Sequence, residues 1–575
     1  MNLFLNYQKK IFTSLRNLED KKIIKIPKNF MNLTVELPPK NQSGDISCNA
    51  ALVLSKFNNV TPIKLADQLK KKLLEDFEEF KKIEIAGPGF LNIFFEITYW
   101  QKYLAEIINL DTLFGSQQSK KKKINIEYVS ANPTGPLHVG HCRGAILGDV
   151  LSNLLVFNGD EVTREYYVND YGGQIKAFVK SVYYRILEIV NKEPFPNIKN
   201  LYPGEYIINI AKEIIAKKVI KNFNNFDKIY NELTKESLKQ SMKIIKKNLN
   251  ILGIKHNNFI YESDLVKNEA VIKVINKLKK NNYVYEGKLQ NPKGEQTSDW
   301  KERDQLLFKS KLFGDDTDRS LQKADGTWTY FAGDVAYHSD KISRNFDVLI
   351  NILGADHAGY TKRIIAATLA ISKNKTNLIC KVSQLVKLFK DGKPFKMSKR
   401  KGDYITVDDL IKEVGKDCTR FMMLNRSNDV ELDFDFKKVT EKSKDNPIFY
   451  VQYAYARINS IFKTLKIDLT SDINFNNKNF ELNSHEIEIL KKISEWPKCV
   501  EVSSLKLEPH RVPFYLYDLV TLFHSYWNYG KDNKECRFIP DDKKLNNSRL
   551  ALLQALAIVI QNGMLILGVS TPKSM

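Results

Sequence analysis

ANPTGPLHVGHCRGAILGD, residues 131–149, is where an extended segment gives way to a helix, and two histidines stand at the junction. Upstream, INIEYV (124–129) is a β-branched and aromatic run that reads as a strand. Downstream, RGAILGDVLSNLLVF (143–157) carries apolar residues at helical spacing. Asn132, Pro133, Gly135 and Pro136 break the chain between them. The stretch therefore reads as strand, loop and helix N-terminus, with His138 and His141 in the first turn. Unpaired N–H groups and the positive end of the helix dipole attract phosphate there. Two imidazoles can hydrogen-bond a phosphate oxygen as its charge grows in a transition state. Gly140 lets a flat base or sugar approach the backbone. An H-x-x-H pair standing alone reads as readily as helix caps or metal ligands.

Outward from this junction the chain alternates strand and helix: REYYV (164–168), a long Lys-rich helical stretch (206–249), then DVLINILG (347–354). That alternation predicts a doubly wound α/β domain over 120–375, with a parallel sheet and an insertion at about 175–250. A lysine run, Lys120–Lys123, marks the seam with a first α+β unit, residues 1–98. Residues 376–440 read as a connecting segment of mixed structure. From 441 to 575 the pattern is helical, with Tyr450, Tyr453, Ala454 and Arg457 at three- and four-residue steps, which predicts an all-α bundle.

At 575 residues the chain is too long for one core. A net charge of +22 suits a polyanion such as nucleic acid, although heavy lysine use throughout explains it equally well. The six cysteines lie far apart with no C-x-x-C pair, so neither zinc nor a disulfide framework is expected, and a reducing cytoplasm fits. Leu550–Leu567 is apolar but interrupted by Gln554, Gln561, Asn562 and Gly563, and reads as a core helix rather than a membrane span. The N-terminus lacks the basic-then-apolar order of a signal peptide.

A second stretch, GKPFKMSKRKGD (392–403), brackets Lys396, Ser398, Lys399, Arg400 and Lys401 between glycines, and clustered ammonium groups suit nucleotide phosphates. No P-loop and no G-x-G-x-x-G after a strand is present. HVGH (138–141) and KMSKR (396–400), about 255 residues apart and in that order, resemble the two signatures of class I aminoacyl-tRNA synthetases. The surrounding EYVSANPTGPLHVGH (127–141), YYVNDYGGQ (166–174), YPGEY (202–206), TYFAGDVAYH (329–338), GADHAGY (354–360) and DNPIFYVQYAYAR (445–457) resemble the arginyl-tRNA synthetases, bacterial type. The likeness runs over nearly the whole chain.

This resemblance implies an arginine–tRNA ligase. It would activate L-arginine with ATP to arginyl-adenylate and transfer it to the terminal 2′-hydroxyl of tRNA(Arg), without a side-chain nucleophile. His138 and His141 would stabilise the α-phosphate, and Lys396, Ser398 and Lys399 the leaving pyrophosphate. Gly140, Gly354, Asp356 and Met397 would complete the ATP site. Glu127, Ser130, Asn132, His138, Tyr330, Asp334 and His357 would hold arginine. His357 departs from the glutamine of many relatives, and Tyr455 from the histidine of the YAHAR form. Mg²⁺ would accompany ATP; no zinc and no organic cofactor is implied. The first unit would contact the tRNA elbow. The helical bundle would bind the anticodon, with Tyr450, Tyr453, Tyr455 and Arg457 as a candidate row of RNA contacts. The family habit is a cytoplasmic monomer that needs bound tRNA before it activates arginine. Competing readings are a class I synthetase for another amino acid, a non-catalytic tRNA-binding paralogue and a small-molecule adenylyltransferase. Missing zinc ligands oppose cysteine, and Glu127 with Asp334 would repel glutamate.

Overall fold

The computed structural model describes residues 2–28, 32–117, 121–288, 304–394, 405–475, 480–539 and 546–575. The KMSKR signature, with Lys396, Met397, Ser398 and Lys399, lies outside them. Residues cluster into two compact units, 119–441 and 1–118 with 442–575.

The 119–441 unit is built on a five-stranded sheet in the order Asn377–Ser383, Val348–Gly354, Lys123–Glu127, Glu161–Val168, Asn258–Tyr261. All four pairings are parallel. The first of these strands along the chain, Lys123–Glu127, sits in the middle of the sheet, so strand order reverses on either side of it. Ligands of doubly wound folds bind at the carboxyl ends of the strands at such a point. The strand stops at Glu127, two residues before the β-branched run ends, because Val129 and Ser130 turn left-handed (φ 72° and 39°). A β-branched residue there is strained by about 1–3 kcal/mol, a cost concentrated at functional sites.

The following helix, Val139–Phe157, starts four residues earlier than its apolar periodicity suggests. Two buried arginines fasten the 384–430 region to this helix and its surroundings. Arg143 donates to the carbonyls of Gln384, Ser427 and Val430 (3.1, 2.8 and 2.6 Å), and burial pulls its guanidinium down to about 10. Arg420 donates to Asp149 (2.6 Å) and to the Leu252 carbonyl (2.9 Å). The long Lys-rich stretch is two helices, Glu205–Lys217 and Phe226–Ile251. With Gly173–Asn191 they pack around their own core, including Phe178, Val182, Ile210 and Leu233.

In the other unit a four-stranded antiparallel sheet (Val35–Glu36, Ile46–Cys48, Phe90–Phe95, Phe80–Ala86) packs with helices from both ends of the chain. Lys491 pairs with Asp45 (3.0 Å), and the Trp496 indole donates to the Phe114 carbonyl (3.0 Å). Gly115 admits that indole, since a Cβ there would lie 2.3 Å from Trp496 Nε1. Among the described residues one helix, Asn547–Leu567, is long and apolar enough to cross a membrane. It is buried as the core of the helical bundle.

Candidate active site

His138 is the N-cap of the Val139–Phe157 helix and His141 its third residue. The His138 Nδ1 accepts from the Gly140 N–H (3.1 Å), and the His141 Nδ1 accepts from the His138 N–H (3.2 Å). This reciprocal box satisfies two orphan helix donors. It also fixes the tautomers: with both Nδ1 atoms accepting, each neutral ring carries its proton on Nε2, as a donor. The rings lie 3.9 Å apart. The space above Gly140 is filled by the His138 imidazole, 2.9 Å from a Cβ placed there. The missing side chain at Gly140 therefore gives the His138 cap room to form. Ile405 and Thr406, just after the second signature, are zipped to this turn: the Val139 N–H donates to the Ile405 carbonyl and Val407 to Leu137 (both 3.0 Å).

Beside this histidine turn, Asn351, Glu127 and Glu165 occupy one register across three adjacent strands. Burying such a polar row requires complementary charge, and the Tyr330–Ser343 helix with Arg344 supplies it. Lys341, with no exposed side-chain surface, donates to Glu127 (2.6 Å) and Asn351 (2.9 Å). Arg344 pairs with Glu165, which also accepts from Tyr337 (2.8 Å). Burial tends to raise Glu165, but Arg344 and Lys341 hold it below its ordinary range. His338 is pushed down to about 3 by burial, so it is neutral. Its Nδ1–H donates to the Asp334 carbonyl (2.8 Å), and its Nε2 accepts from Asn351 (3.0 Å). A continuous chain of hydrogen bonds thus links Glu127 to the backbone of Asp334.

Above this layer the balance of charge reverses. Asp334 accepts from the Tyr360 hydroxyl and has no ion pair among the described residues. Burial raises it to about 7, partly offset by Tyr360, and Glu127 adds to the rise. Glu262, at the end of the Asn258–Tyr261 strand, is likewise raised to about 7 by burial and then by Asp334 and Asp170. Its Oε2 is buried without a hydrogen-bond partner among the described residues. Tyr167, stacked on Tyr337 at 4.3 Å, is raised first by burial and then by Glu262, Asp334, Glu127 and Asp170 together. Asp170 clasps Ser263 through both oxygens (2.8 and 2.7 Å). Four carboxylates thus converge on one tyrosine, and of these only Glu127 is ion-paired among the described residues. A planar, multiply donating cation is the complementary ligand.

Of the expected arginine-site residues, Ser130 donates to Glu127 (3.0 Å) and Asn132 to Gln174 (2.6 Å). Tyr330 is 67% exposed at the helix start. Gly354 ends its strand, where a Cβ would meet Asp356 Oδ1 at 2.5 Å. Asp356 and His357 are exposed and 3.5 Å from each other, and no hydrogen bond links His357 to Asp334 or Glu127 among the described residues. Glu262, Asp170, Tyr167, Tyr360 and Lys341 were not singled out from the sequence. GADHAGY did contain Tyr360, but nothing in YESDL (261–265) separates Glu262 from a surface acid.

In the helical bundle, Arg457 lies between the rings of Tyr453 (4.4 Å) and Trp527 (4.7 Å). It donates to His524 Nδ1 (3.0 Å), and burial lowers that ring to about 4. Tyr453, Arg457 and Trp527 line a cavity of about 670 Å³. Tyr455 points the other way and is 5% exposed. It is a core residue, which corrects its place in the expected RNA-contacting row: stacking a base on it would require unpacking the helix.

Residues 103–463 match the family described as tRNA synthetases class I (R), catalytic domain. Residues 6–95 match the arginyl tRNA synthetase N terminal domain, and 451–575 the DALR anticodon binding domain. The chain is 55% identical over 578 residues to an arginine–tRNA ligase of Pelagibacter ubique, and 44% identical over 585 residues to that of Allorhizobium ampelinum. Both alignments cover 100% of each chain. Among solved structures it resembles a putative arginyl-tRNA synthetase from Campylobacter jejuni (TM-score 0.72, 29% identity, 84% of this chain and 100% of that one). The fold is also that of Thermus thermophilus arginyl-tRNA synthetase (TM-score 0.73, 18% identity, 100% of each chain). A class I sheet with its histidine turn at the switch point, an acidic pocket beside it and these full-length likenesses lead to one conclusion: the chain belongs to the arginyl-tRNA synthetases and is an arginine–tRNA ligase.

Proposed function

We propose that the arginine guanidinium is held by Asp334 and Glu262, the two carboxylates that burial raises to about 7, with Tyr330 at the pocket's edge. Glu127, fixed by Lys341 and Ser130, takes the α-amino group. Asn132 and His138 face the carboxylate end, and His357 is assigned to the rim. The arginine carboxylate attacks the α-phosphate of ATP in line. The Nε2–H groups of His138 and His141 donate to the oxygens on which charge grows, and Gly354 and Asp356 border the nucleotide. Lys396, Ser398 and Lys399, with Met397 among them, receive the pyrophosphate. The tRNA 2′-hydroxyl then attacks the adenylate carbonyl. Positioning and charge stabilisation supply the rate. Mg²⁺ would accompany the ATP phosphates rather than occupy a protein cage.

Residues 1–98 are assigned to the tRNA elbow, and Tyr450, Tyr453 and Arg457 to the anticodon loop, on a cytoplasmic monomer. The single observation behind the substrate assignment is the pair of uncompensated carboxylates around Tyr167. Its test is the arginine KM of Glu262→Gln beside the ATP KM. Loss of one charge-assisted contact should raise the arginine KM by about 10–10² and leave ATP unchanged. An unchanged arginine KM would remove Glu262 from the site.

A further inference from the structure

Arg363, the third residue of the Thr361–Ser372 helix, carries a half-buried guanidinium with no ion pair among the described residues. Its Nε is buried without a hydrogen-bond partner among them. The charges around it are matched to one another instead. Arg319 donates to both oxygens of Asp315 (2.8 and 2.7 Å), which also accepts from Ser310 (2.7 Å). Lys362 pairs with Asp316 (2.9 Å). Burial and then Arg319 pull the Arg363 guanidinium below its ordinary range. A guanidinium keeps its proton in a folded protein, so the fold carries an unmatched, partly desolvated cation.

What Arg363 does touch is Tyr360. The guanidinium lies over the ring, 4.8 Å from its centroid, and the hydroxyl of that ring donates to Asp334. The three side chains form a line from the helix to the acidic pocket. A cation over a tyrosine face is attracted by the ring and holds it in place. Across the ring, the same charge favours the ionised form of Asp334. Glu127 and Tyr167 face Asp334 from the sheet, Glu262 from beyond the Asn258–Tyr261 strand, and Lys341 from its own helix. The acids oppose its ionisation, and Lys341 is bonded to Glu127 (2.6 Å). Of the two cations that favour a charged Asp334, Arg363 is the one not engaged by another carboxylate among the described residues.

Resting on the arginine-site reading above, we propose that Arg363 is a positioning residue for arginine selection: acting through Tyr360, it keeps Asp334 aimed and ionised for the substrate guanidinium. The test is the arginine KM for tRNA charging between about pH 6 and pH 8.5. Wild type is compared with Arg363→Met, which keeps an apolar stem against the ring and loses the charge, and with Arg363→Lys, which keeps the charge. Arg363→Gln serves as a second neutral variant should the Met variant fail to fold, and melting temperatures establish folding. With Asp334 at about 7 in the wild type, losing a cation one ring away should move its midpoint up by about one pH unit. The ratio of neutral-variant to wild-type arginine KM should then be about fivefold at pH 7 and less than about twofold at pH 8.5. The ATP KM and the kcat at saturating arginine should not change, and Arg363→Lys should follow the wild-type profile. A ratio that does not vary with pH, an unchanged KM, or a Lys variant that behaves like the neutral ones would each overturn the proposal alone. An Asp334→Asn variant that charged tRNA at the wild-type arginine KM would instead remove the reading on which it rests.

Discussion

Replacing Asp334 by Asn should make the ligand-free protein more stable and the enzyme inactive. Asp334 is held at about 7 against an ordinary 3.8, mainly by burial, with Tyr360 as its hydrogen-bond donor. A carboxyl raised on folding opposes folding once the pH exceeds its unfolded value. The penalty grows between about pH 4 and pH 7 and is complete at pH 8. A displacement of that size corresponds to roughly 4 kcal/mol. The residue is half-buried, and solvent screening reduces this to about 2 kcal/mol. Asn keeps an oxygen for the Tyr360 hydroxyl and removes the charge. The melting temperature without ligands should therefore rise by about 2–4 °C at pH 8 and stay level near pH 4. Saturating arginine should stabilise the wild type by mass action and leave the variant unmoved. A variant that melts below the wild type at pH 8, or is stabilised by arginine as the wild type is, would refute the reasoning.

Other consequences follow from the same layer of charges. Because Asp334 and Glu262 both sit at about 7 in the empty pocket and must be ionised to meet a guanidinium, the arginine KM should fall as pH rises from 6 to 8. It should then level off, with the ATP KM as the control; a flat profile would show the pocket already ionised. Lys341→Met strands the Glu127 carboxylate in the interior and should cost about 3–5 kcal/mol by urea unfolding. Less than 1 kcal/mol would mean that Glu127 is solvated or protonated. His141→Ala should lower kcat by about 10²–10³ with the arginine KM retained, and a reversed split would place His141 on arginine instead. In the helical bundle, Tyr455→Phe should leave tRNA affinity unchanged, while Arg457→Ala should weaken it about tenfold, both read by filter binding.

Local chemistry decided how far the sequence could be read. The strand, the helix and the breakers between them are legible because each is a run of like residues, and the helix N-terminus gave away the two histidines of its first turn. That the same histidines cap the helix through Nδ1 depends on the absence of a side chain at Gly140, and the early end of the strand on the left-handed φ values of Val129 and Ser130. No periodicity encodes these. Asp334 stood out because TYFAGDVAYH is distinctive. Glu262 did not, since a carboxylate at a strand end among 67 acidic residues looks like surface until the sheet brings it beside Asp334. Lys341 and Arg344 were hidden for the opposite reason: in a chain with 89 basic residues, one buried and one half-buried cation leave no mark on composition. Tyr455, two residues from Tyr453, falls on the opposite face of its helix from Tyr453 and into the bundle core, although its aromatic side chain resembles those of the row.

The most direct measurement is amino-acid-dependent ATP–pyrophosphate exchange, run with arginine, lysine and glutamate, each with and without tRNA. A pocket of two uncompensated carboxylates beside the histidine turn should support exchange with arginine and with neither control, and family habit places that exchange in the presence of tRNA. Exchange with arginine in the absence of tRNA would leave the pocket assignment standing and remove only that requirement. Exchange with lysine at a comparable rate, or none with arginine under either condition, would contradict the reading of Asp334 and Glu262 as the site that selects arginine.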